Sequence, residues 1–369
     1  MTRSVDVIVG LQYGSEGKGA VAHRLAWRYD AAVRVGAPNA GHTIWHEGKA
    51  YKMRSVPCAW VKGEDIKLYV GPGGMINPDV LQAELETLPE YVKKNFFIDK
   101  NCGVITHQDV EFEEQSNFNA FNGSTAEGVG SAQARKVMRK DTEVFREWTI
   151  NRPQWAKYCR DVTLELHDLL ERNGTIMLEG TQGFGLSLNH GQYPYVTSRD
   201  VTTAAILNES GFSPFHARHV IGVMRTYPIR VAGHSGPMGA KELTWEEVSD
   251  RSGYTAKGQT LIERTTVTNR VRRVSEVDWD MLDRAVKVNG PTGIVITFMD
   301  YINANDAFKS GTGYLNLSEE SRSFIYETED RLRVPVVAVT TGPKLEDVVW
   351  GTEVYAEIFG NKSRNQMTH

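Results

Sequence analysis

Near the amino terminus, the stretch VDVIVGLQYGSEGKGAVAHRL joins a β-branched run, Val5 to Val9, to a glycine-rich loop and then to a helical pattern. A strand that ends in glycines and feeds a helix aims backbone N–H groups and the positive helix end at one spot, so an anion is expected there. Gly14, Gly17 and Gly19 let the chain pass close to a phosphate, and Lys18 supplies a mobile point charge. The strict G-x-x-x-x-G-K-[ST] pattern fails, because its first glycine falls on Gln12 and its closing hydroxyl on Gly19. Taken alone, the loop favours an anion site, with a structural turn bearing a surface lysine as the lesser alternative.

Similar short apolar runs recur between helical stretches, which predicts an α/β fold with a mostly parallel sheet. The expected strands are Val5–Gly10, Ala31–Gly36, Lys67–Gly71, Gly103–Thr106, Thr175–Glu179, His219–Thr226, Gly293–Phe298 and Val334–Thr340. Apolar spacing predicts helices over Pro78–Leu88, Pro153–Arg172, Met281–Val288 and Leu345–Phe359. Two long polar segments, 107–140 and 232–273, read as functional lids or disorder. One domain over 1–360 with a flexible tail at 361–369 is expected. A formal charge of −4 argues against direct nucleic-acid binding. Cys58, Cys102 and Cys159 lie far apart, suggesting neither a zinc site nor disulfides, and fitting a reducing cytoplasm. No apolar run reaches the ~20 residues that span a bilayer, so no membrane association is expected.

The strand after the loop ends in VGAPNAGHTIWHEG, and NAGHT following GSEGKG is a specific pairing. Together with NGSTAEGVG and Arg139, LEGTQGFGLSLNHGQYPYVTSRDVTT, TTVTNRVRR, ITFMD and TTGP, the two segments resemble adenylosuccinate synthetase along nearly the whole chain. The resemblance implies that family's fold, a P-loop-NTPase-like mostly parallel central sheet with helices on both faces and long excursions. It also implies a carbon–nitrogen ligase that phosphorylates O6 of a purine monophosphate and then lets the aspartate amine displace phosphate.

Carried over residue by residue, the resemblance makes Ser15, Lys18 and His42 catalytic. The triphosphate would lie on Gly14, Glu16, Gly17, Lys18, Gly19, Gly41, Thr43, Arg272, Phe298, Asp300, Thr341 and Gly342. The monophosphate would lie on Ser15, Asn39, Ala40, Ser124, Thr125, Gln182, Thr197 and Arg270, with Arg139 reaching in from the second subunit of a homodimer. Thr266, Val267, Thr268, Arg270 and Arg272 stand where the family binds L-aspartate, and guanidinium forks suit its carboxylates. Asn269 and Val271 depart from the common form of that loop. Mg²⁺ is implied, on Ser15 and the Gly41 carbonyl. Read singly, His42 is an ordinary strand histidine or a zinc partner of His46, and Thr125, Thr197 and Gln182 are turn or capping groups; the shared order decides for function.

Two departures bear on substrate. The common pattern is GDEGKG, and Ser15 replaces its aspartate, which ligands Mg²⁺ and accepts the purine N1 proton. A hydroxyl is a poor base, and the shorter arm opens room for the C2 amine of guanine. In this, and in TSRDVT, the chain resembles the phage branch of the family, 2-aminoadenylosuccinate synthase, which makes N6-succino-2-amino-2′-deoxyadenylate from dGMP for diaminopurine DNA. The N1 proton then goes to water, to Glu16 or through Ser15. Secondly, Phe298 replaces the lysine that covers a guanine donor in the family, so ATP or dATP becomes the expected donor while Asp300 still admits GTP. A conventional synthetase acting on IMP, or an inactive nucleotide-binding regulator, are the alternatives.

Overall fold

The computed structural model describes residues 4–352 apart from 118–119, 122, 140–143 and 266–268. The expected tail and the aspartate-loop residues Thr266, Val267 and Thr268 lie outside the described residues. In chain order the strands are β1 (Val5–Gly10), β2 (Ala31–Arg34), β3 (His42–His46), β4 (Lys49–Met53), β5 (Lys67–Val70) and β6 (Met75–Ile76). There follow β7 (Phe96–Asp99), β8 (Gly103–Val104), β9 (Cys159–Arg160), β10 (Ile176–Glu179), β11 (Ala217–Arg225) and β12 (Ile229–Arg230). The last are β13 (Glu242–Leu243), β14 (Arg273–Ser275), β15 (Gly293–Thr297), β16 (Gly311–Thr312), β17 (Val336–Thr340) and β18 (Val348–Trp350).

Eleven strands form one sheet in the order β16-β18-β17-β15-β11-β1-β10-β2-β5-β7-β9, parallel except for the antiparallel β17–β18 pair. Strand β1 is buried along its whole length between β11 and β10. Its side chains alternate between two apolar clusters, Ile8 in one and Val5, Val7 and Val9 in the other, because a sheet covered on both faces has no solvent side. The sequence order reverses around β1, and in such sheets ligands sit outside the carboxyl ends of the strands at that reversal. The loop after β1 therefore opens where a site is expected.

Several helical expectations are corrected. Pro153–Arg172 is not one helix: Pro153–Ala156 and Val162–Glu171 flank the edge strand β9, and Asp161 caps the second by accepting from Leu164 N–H at 3.2 Å. The helix expected over Leu345–Phe359 gives way to β18, whose Val348 and Val349 pair with β17; residues 353–359 lie outside the described residues. The run Gly103–Thr106 leaves the main sheet and pairs instead with β6. The 107–140 segment carries the helices His107–Gln115 and Val129–Met138. The longest described helix, Glu319–Leu332, has a largely polar sequence that hides its buried stripe of Ser321, Ile325, Thr328 and Leu332. No described helix is long and apolar enough to cross a membrane.

Candidate active site

Of the residues singled out in the sequence, the glycine loop follows β1, Asn39 and Ala40 follow β2, Gln182 follows β10, Phe298 and Asp300 follow β15, and Thr341 and Gly342 follow β17. After β1 the chain turns through Gly14 (φ 86°), Ser15 (φ 57°) and Gly17 (φ 88°), left-handed backbone that favours glycine and marks Ser15 as held in place by its surroundings. The helix Lys18–Leu25 starts at Gly17, and its first intrahelical bond runs from Val21 N–H to the Gly17 carbonyl at 3.0 Å. The leading amides thus face the loop. Ser15 is exposed, whereas Glu16 is fully buried.

Glu16 holds the loop closed on itself. Its Oε1 accepts from Gln12 N–H at 3.1 Å and Gly14 N–H at 2.9 Å, and its Oε2 meets the Lys18 ammonium. Thr297 at the end of β15 donates to the Glu16 carbonyl at 2.7 Å. A methyl group on Gly10 would lie 2.7 Å from Lys18 Nζ and 2.6 Å from the Gln182 carbonyl, so only glycine lets these groups converge.

His42 opens the β3–β4 hairpin, and its environment is built by residues the motif reading passed over. Its Nδ1 lies 2.6 Å from Glu179 Oε1 at the end of β10, and Arg34 at the end of β2 donates to the same oxygen at 2.7 Å. Glu179 Oε2 accepts from Cys58 N–H at 2.7 Å. Arg34 Nη1 also lies 2.9 Å from Nδ1, but the Glu179 contact is the shorter and a carboxylate only accepts, so Nδ1 carries the proton and Nε2 is left for a ligand. Burial, then Arg34, lowers the His42 pKa to about 4 despite Glu179. Burial pushes the Glu179 carboxyl up, but the His42 hydrogen bond and Arg34 outweigh it and hold the group below its ordinary value. His42, Cys58 and Glu179 place metal-ligating atoms within 4.8 Å of one another, yet Arg34 already supplies the positive charge there. His46 is not a zinc partner of His42: its ring packs edge-on against Trp60 and His23.

The remaining monophosphate candidates fall in two groups. Gln182 Nε2 donates to Asn39 Oδ1 at 3.2 Å, and Arg199 Nη1 donates to Gln182 Oε1 at 3.3 Å and to Thr181 Oγ1 at 3.0 Å. Ala40 stands beside them, its carbonyl accepting from Arg34 at 2.6 Å. Thr197 is tied to the loop after β10 through the Leu186 carbonyl at 2.8 Å. Ser124 Oγ accepts from Ala126 N–H, while Thr125 is exposed. Arg139 ends the helix Val129–Met138 at φ 53° and is exposed. Gly41 and Thr43 are also exposed.

At the other rim, Phe298 follows β15 at φ 59° with the Arg225 guanidinium 4.1 Å above its ring. Arg225 is wholly buried, pairs with Glu263 and donates to the Ser15 carbonyl at 3.3 Å, so one cation links this rim to the glycine loop. Asp300 accepts from the Tyr254 hydroxyl at 2.9 Å, and burial raises its pKa to about 6. Thr341 donates to the Lys309 carbonyl at 2.6 Å, and Gly342 faces Asp347, where a methyl group would lie 2.5 Å from the carboxylate. Arg270 is exposed, and its N–H bonds Thr265 Oγ1 at 3.0 Å. Arg272 is partly buried, which lowers its pKa, and its N–H donates to the Glu263 carbonyl at 2.8 Å.

Arg34, Arg225 and Tyr254 lie outside the quoted motifs, and Glu179 lies within LEGTQGFG without being singled out there. The available signal was a charged residue closing an apolar strand, as Arg34, Glu179 and Arg225 all do.

The family model for adenylosuccinate synthetase matches residues 7–151 and 140–343. The chain is 36% identical over 348 residues to the adenylosuccinate synthetase of Pyrococcus sp. (strain ST700), covering 93% of this chain and 97% of that one. The Methanocaldococcus jannaschii adenylosuccinate synthetase is 33% identical over 353 residues, with 93% and 95% covered. The fold is similar to that of fully ligated adenylosuccinate synthetase from Plasmodium falciparum, at TM-score 0.81 and 21% identity, covering 94% of this chain and 99% of that one. It is also similar to cyanophage S-2L succinoaminodeoxyadenylate synthetase bound to dGMP and dATP as an energy donor, at TM-score 0.79 and 30% identity, covering 97% and 99%. A glycine loop at the sheet reversal, an imidazole held by a buried carboxylate, and agreement along nearly the full length place the chain in the adenylosuccinate synthetase family of carbon–nitrogen ligases.

Proposed function

We propose that this ligase joins L-aspartate to dGMP, driven by ATP or dATP, to give N6-succino-2-amino-2′-deoxyadenylate. The observation that carries the reading is Ser15: it is exposed and short where the family's common pattern has an aspartate, in a loop that keeps Lys18 and faces His42. A carboxylate there crowds the C2 amine of guanine; a hydroxymethyl leaves room. The cyanophage enzyme's dGMP and dATP support the same assignment for this chain.

In this reading the leading amides of the helix Lys18–Leu25 and the Lys18 ammonium hold the donor's phosphates, with Lys18 shared between Glu16 and the ligand. The exposed Ser15 hydroxyl and Gly41 carbonyl are hard, neutral oxygen ligands with open space around Gly41, a set that suits Mg²⁺ completed by phosphate oxygens and water. Bound there, the ion would neutralise phosphate charge. His42 presents Nε2 to O6. Phosphate anions favour the charged ring, so nucleotide binding draws a proton onto Nε2, which then donates to the developing oxyanion. As the γ-phosphoryl group passes to O6, its bond to the β-phosphate oxygen breaks, the nucleoside diphosphate is released, and the N1 proton leaves. Glu16 is buried among its own loop amides, so that proton passes to water at the exposed Ser15. The aspartate amine, its carboxylates on Arg270 and Arg272, then attacks C6, loses a proton, and phosphate departs with the C6–O bond electrons. Asn39, Ala40, Ser124, Thr125, Gln182 and Thr197 line the monophosphate, and Arg139 reaches it across a homodimer interface.

A second reading, conventional synthesis from IMP, is favoured by the names of the 33–36% identical relatives. One assay separates the two. Purified protein is given aspartate, Mg²⁺ and ATP, with dGMP or IMP in parallel, and phosphate release and succinylated product are followed. Turnover of dGMP supports the proposal, turnover of IMP alone rejects it, and no phosphate release with either acceptor identifies an inactive regulator.

A further inference from the structure

The Tyr254 side chain comes from the 232–273 excursion, far from Asp300 in sequence, yet its hydroxyl lies 2.9 Å from Asp300 Oδ2, two residues beyond Phe298. Both side chains are only partly exposed. From the contact between this hydroxyl and carboxylate we infer that Tyr254 is a specificity-determining residue, selecting an adenine donor over a guanine donor. The inference rests on the reading that Phe298 and Asp300 hold the donor's base.

The argument is one of donors and acceptors. The Watson–Crick edge of guanine offers two adjacent N–H donors, N1–H and the C2 amine, and a carboxylate binds them best with both oxygens free. Here Oδ2 already accepts from a tyrosine, so guanine's two donors must share the carboxylate with that hydroxyl. Adenine offers one donor, the C6 amine, next to one acceptor, N1. An acceptor carboxylate beside a donor hydroxyl is the complement of that edge: Asp300 accepts from the amine and the tyrosyl O–H turns to N1. A bare carboxylate would leave adenine N1 facing another acceptor, and the tyrosyl O–H removes that mismatch; a stranded buried polar group is what discriminates most strongly between close analogues. Phe298 adds stacking that favours neither base. Tyr254→Phe removes that one oxygen atom and isolates the effect.

The test uses the full-length protein with its monophosphate and aspartate saturating, and kcat/KM measured for ATP, dATP and GTP in the wild type, Tyr254→Phe and Asp300→Asn. The expected result is a wild type that prefers ATP and dATP, and a Tyr254→Phe variant whose GTP-to-ATP ratio of kcat/KM rises about tenfold. Thermal melting of Tyr254→Phe should match the wild type within a few degrees. A ratio unchanged within about twofold, with Asp300→Asn still raising KM for the triphosphates, overturns the role of Tyr254 while leaving the base pocket standing. If Asp300→Asn alters KM for no triphosphate, the base lies elsewhere and both readings fall.

Discussion

In the proposed function, residue 15 selects the acceptor by volume and charge together. Ser15→Asp should lower kcat/KM for dGMP by at least about tenfold, through crowding of the C2 amine, and raise turnover of IMP, whose C2 carries only hydrogen. Steady-state kinetics with both monophosphates would expose an unchanged dGMP rate, which removes the steric argument. Glu179 acts one step away, by holding His42 through Nδ1 at 2.6 Å. Glu179→Gln keeps the shape but lets either face of the amide meet Nδ1, so kcat should drop on the order of 10–100-fold with KM values little changed. The kcat–pH profile should shift as well; a loss confined to thermal stability would instead make Glu179 purely structural. Ser15, Lys18 and His42 were legible in the sequence because motif spacing carries them. Glu179 was not, since its role arises only when β10 lies beside β2 and aims a buried carboxylate at the hairpin.

At the scale of elements, the glycine loop is held by its neighbours more than by itself. Gln12 clasps the main chain of Arg225, donating to its carbonyl at 3.0 Å and accepting from its N–H at 2.9 Å. The helix Lys18–Leu25 is tied to the loop after β17 by Arg24, which is buried and donates to the carbonyls of Gly342 (3.0 Å), Lys344 and Asp347 (3.5 Å). Burial lowers the Arg24 pKa to about 10, which still leaves it charged at neutral pH. Arg24→Ala strands those carbonyls and opens a void, so a loss of about 3 kcal/mol is expected in denaturant unfolding. The loop it braces carries Thr341 and Gly342, and KM for the triphosphate should rise more than KM for aspartate. Equal rises would show that the brace serves stability alone. The runs that became β1, β10, β11, β15 and β17 could be read because strands buried on both faces are continuously apolar. The edge strand β9 and the short strand β18 next to the other edge misled because too few residues carry their pattern, and pairing with β7 and β17 overrode it.

Across the whole molecule, two buried histidines make the fold sensitive to acid. Burial, then Arg24 and His46, lowers the His23 pKa to about 3, and His42 is held at about 4. Both folded values lie below the unfolded value of ~6.5. Their stabilisation is therefore complete above pH ~6.5 and is lost as pH falls toward 4 and then 3, at about 2 kcal/mol per histidine by pH 5. Denaturant titrations between pH 7 and 5 should show this slope, and His23→Gln should make it shallower; an unaltered slope would mean that His23 is protonated freely in the folded state. The sequence by itself determined the parallel sheet, the glycine loop at its first strand and the family, because those follow from local periodicity and from fixed spacings along one segment. Only the tertiary structure decided which polar groups meet at the candidate site. Arg34, Glu179, Arg225 and Tyr254 gain their partners from strand order and from a distant excursion, and contacts between segments leave no local pattern to read.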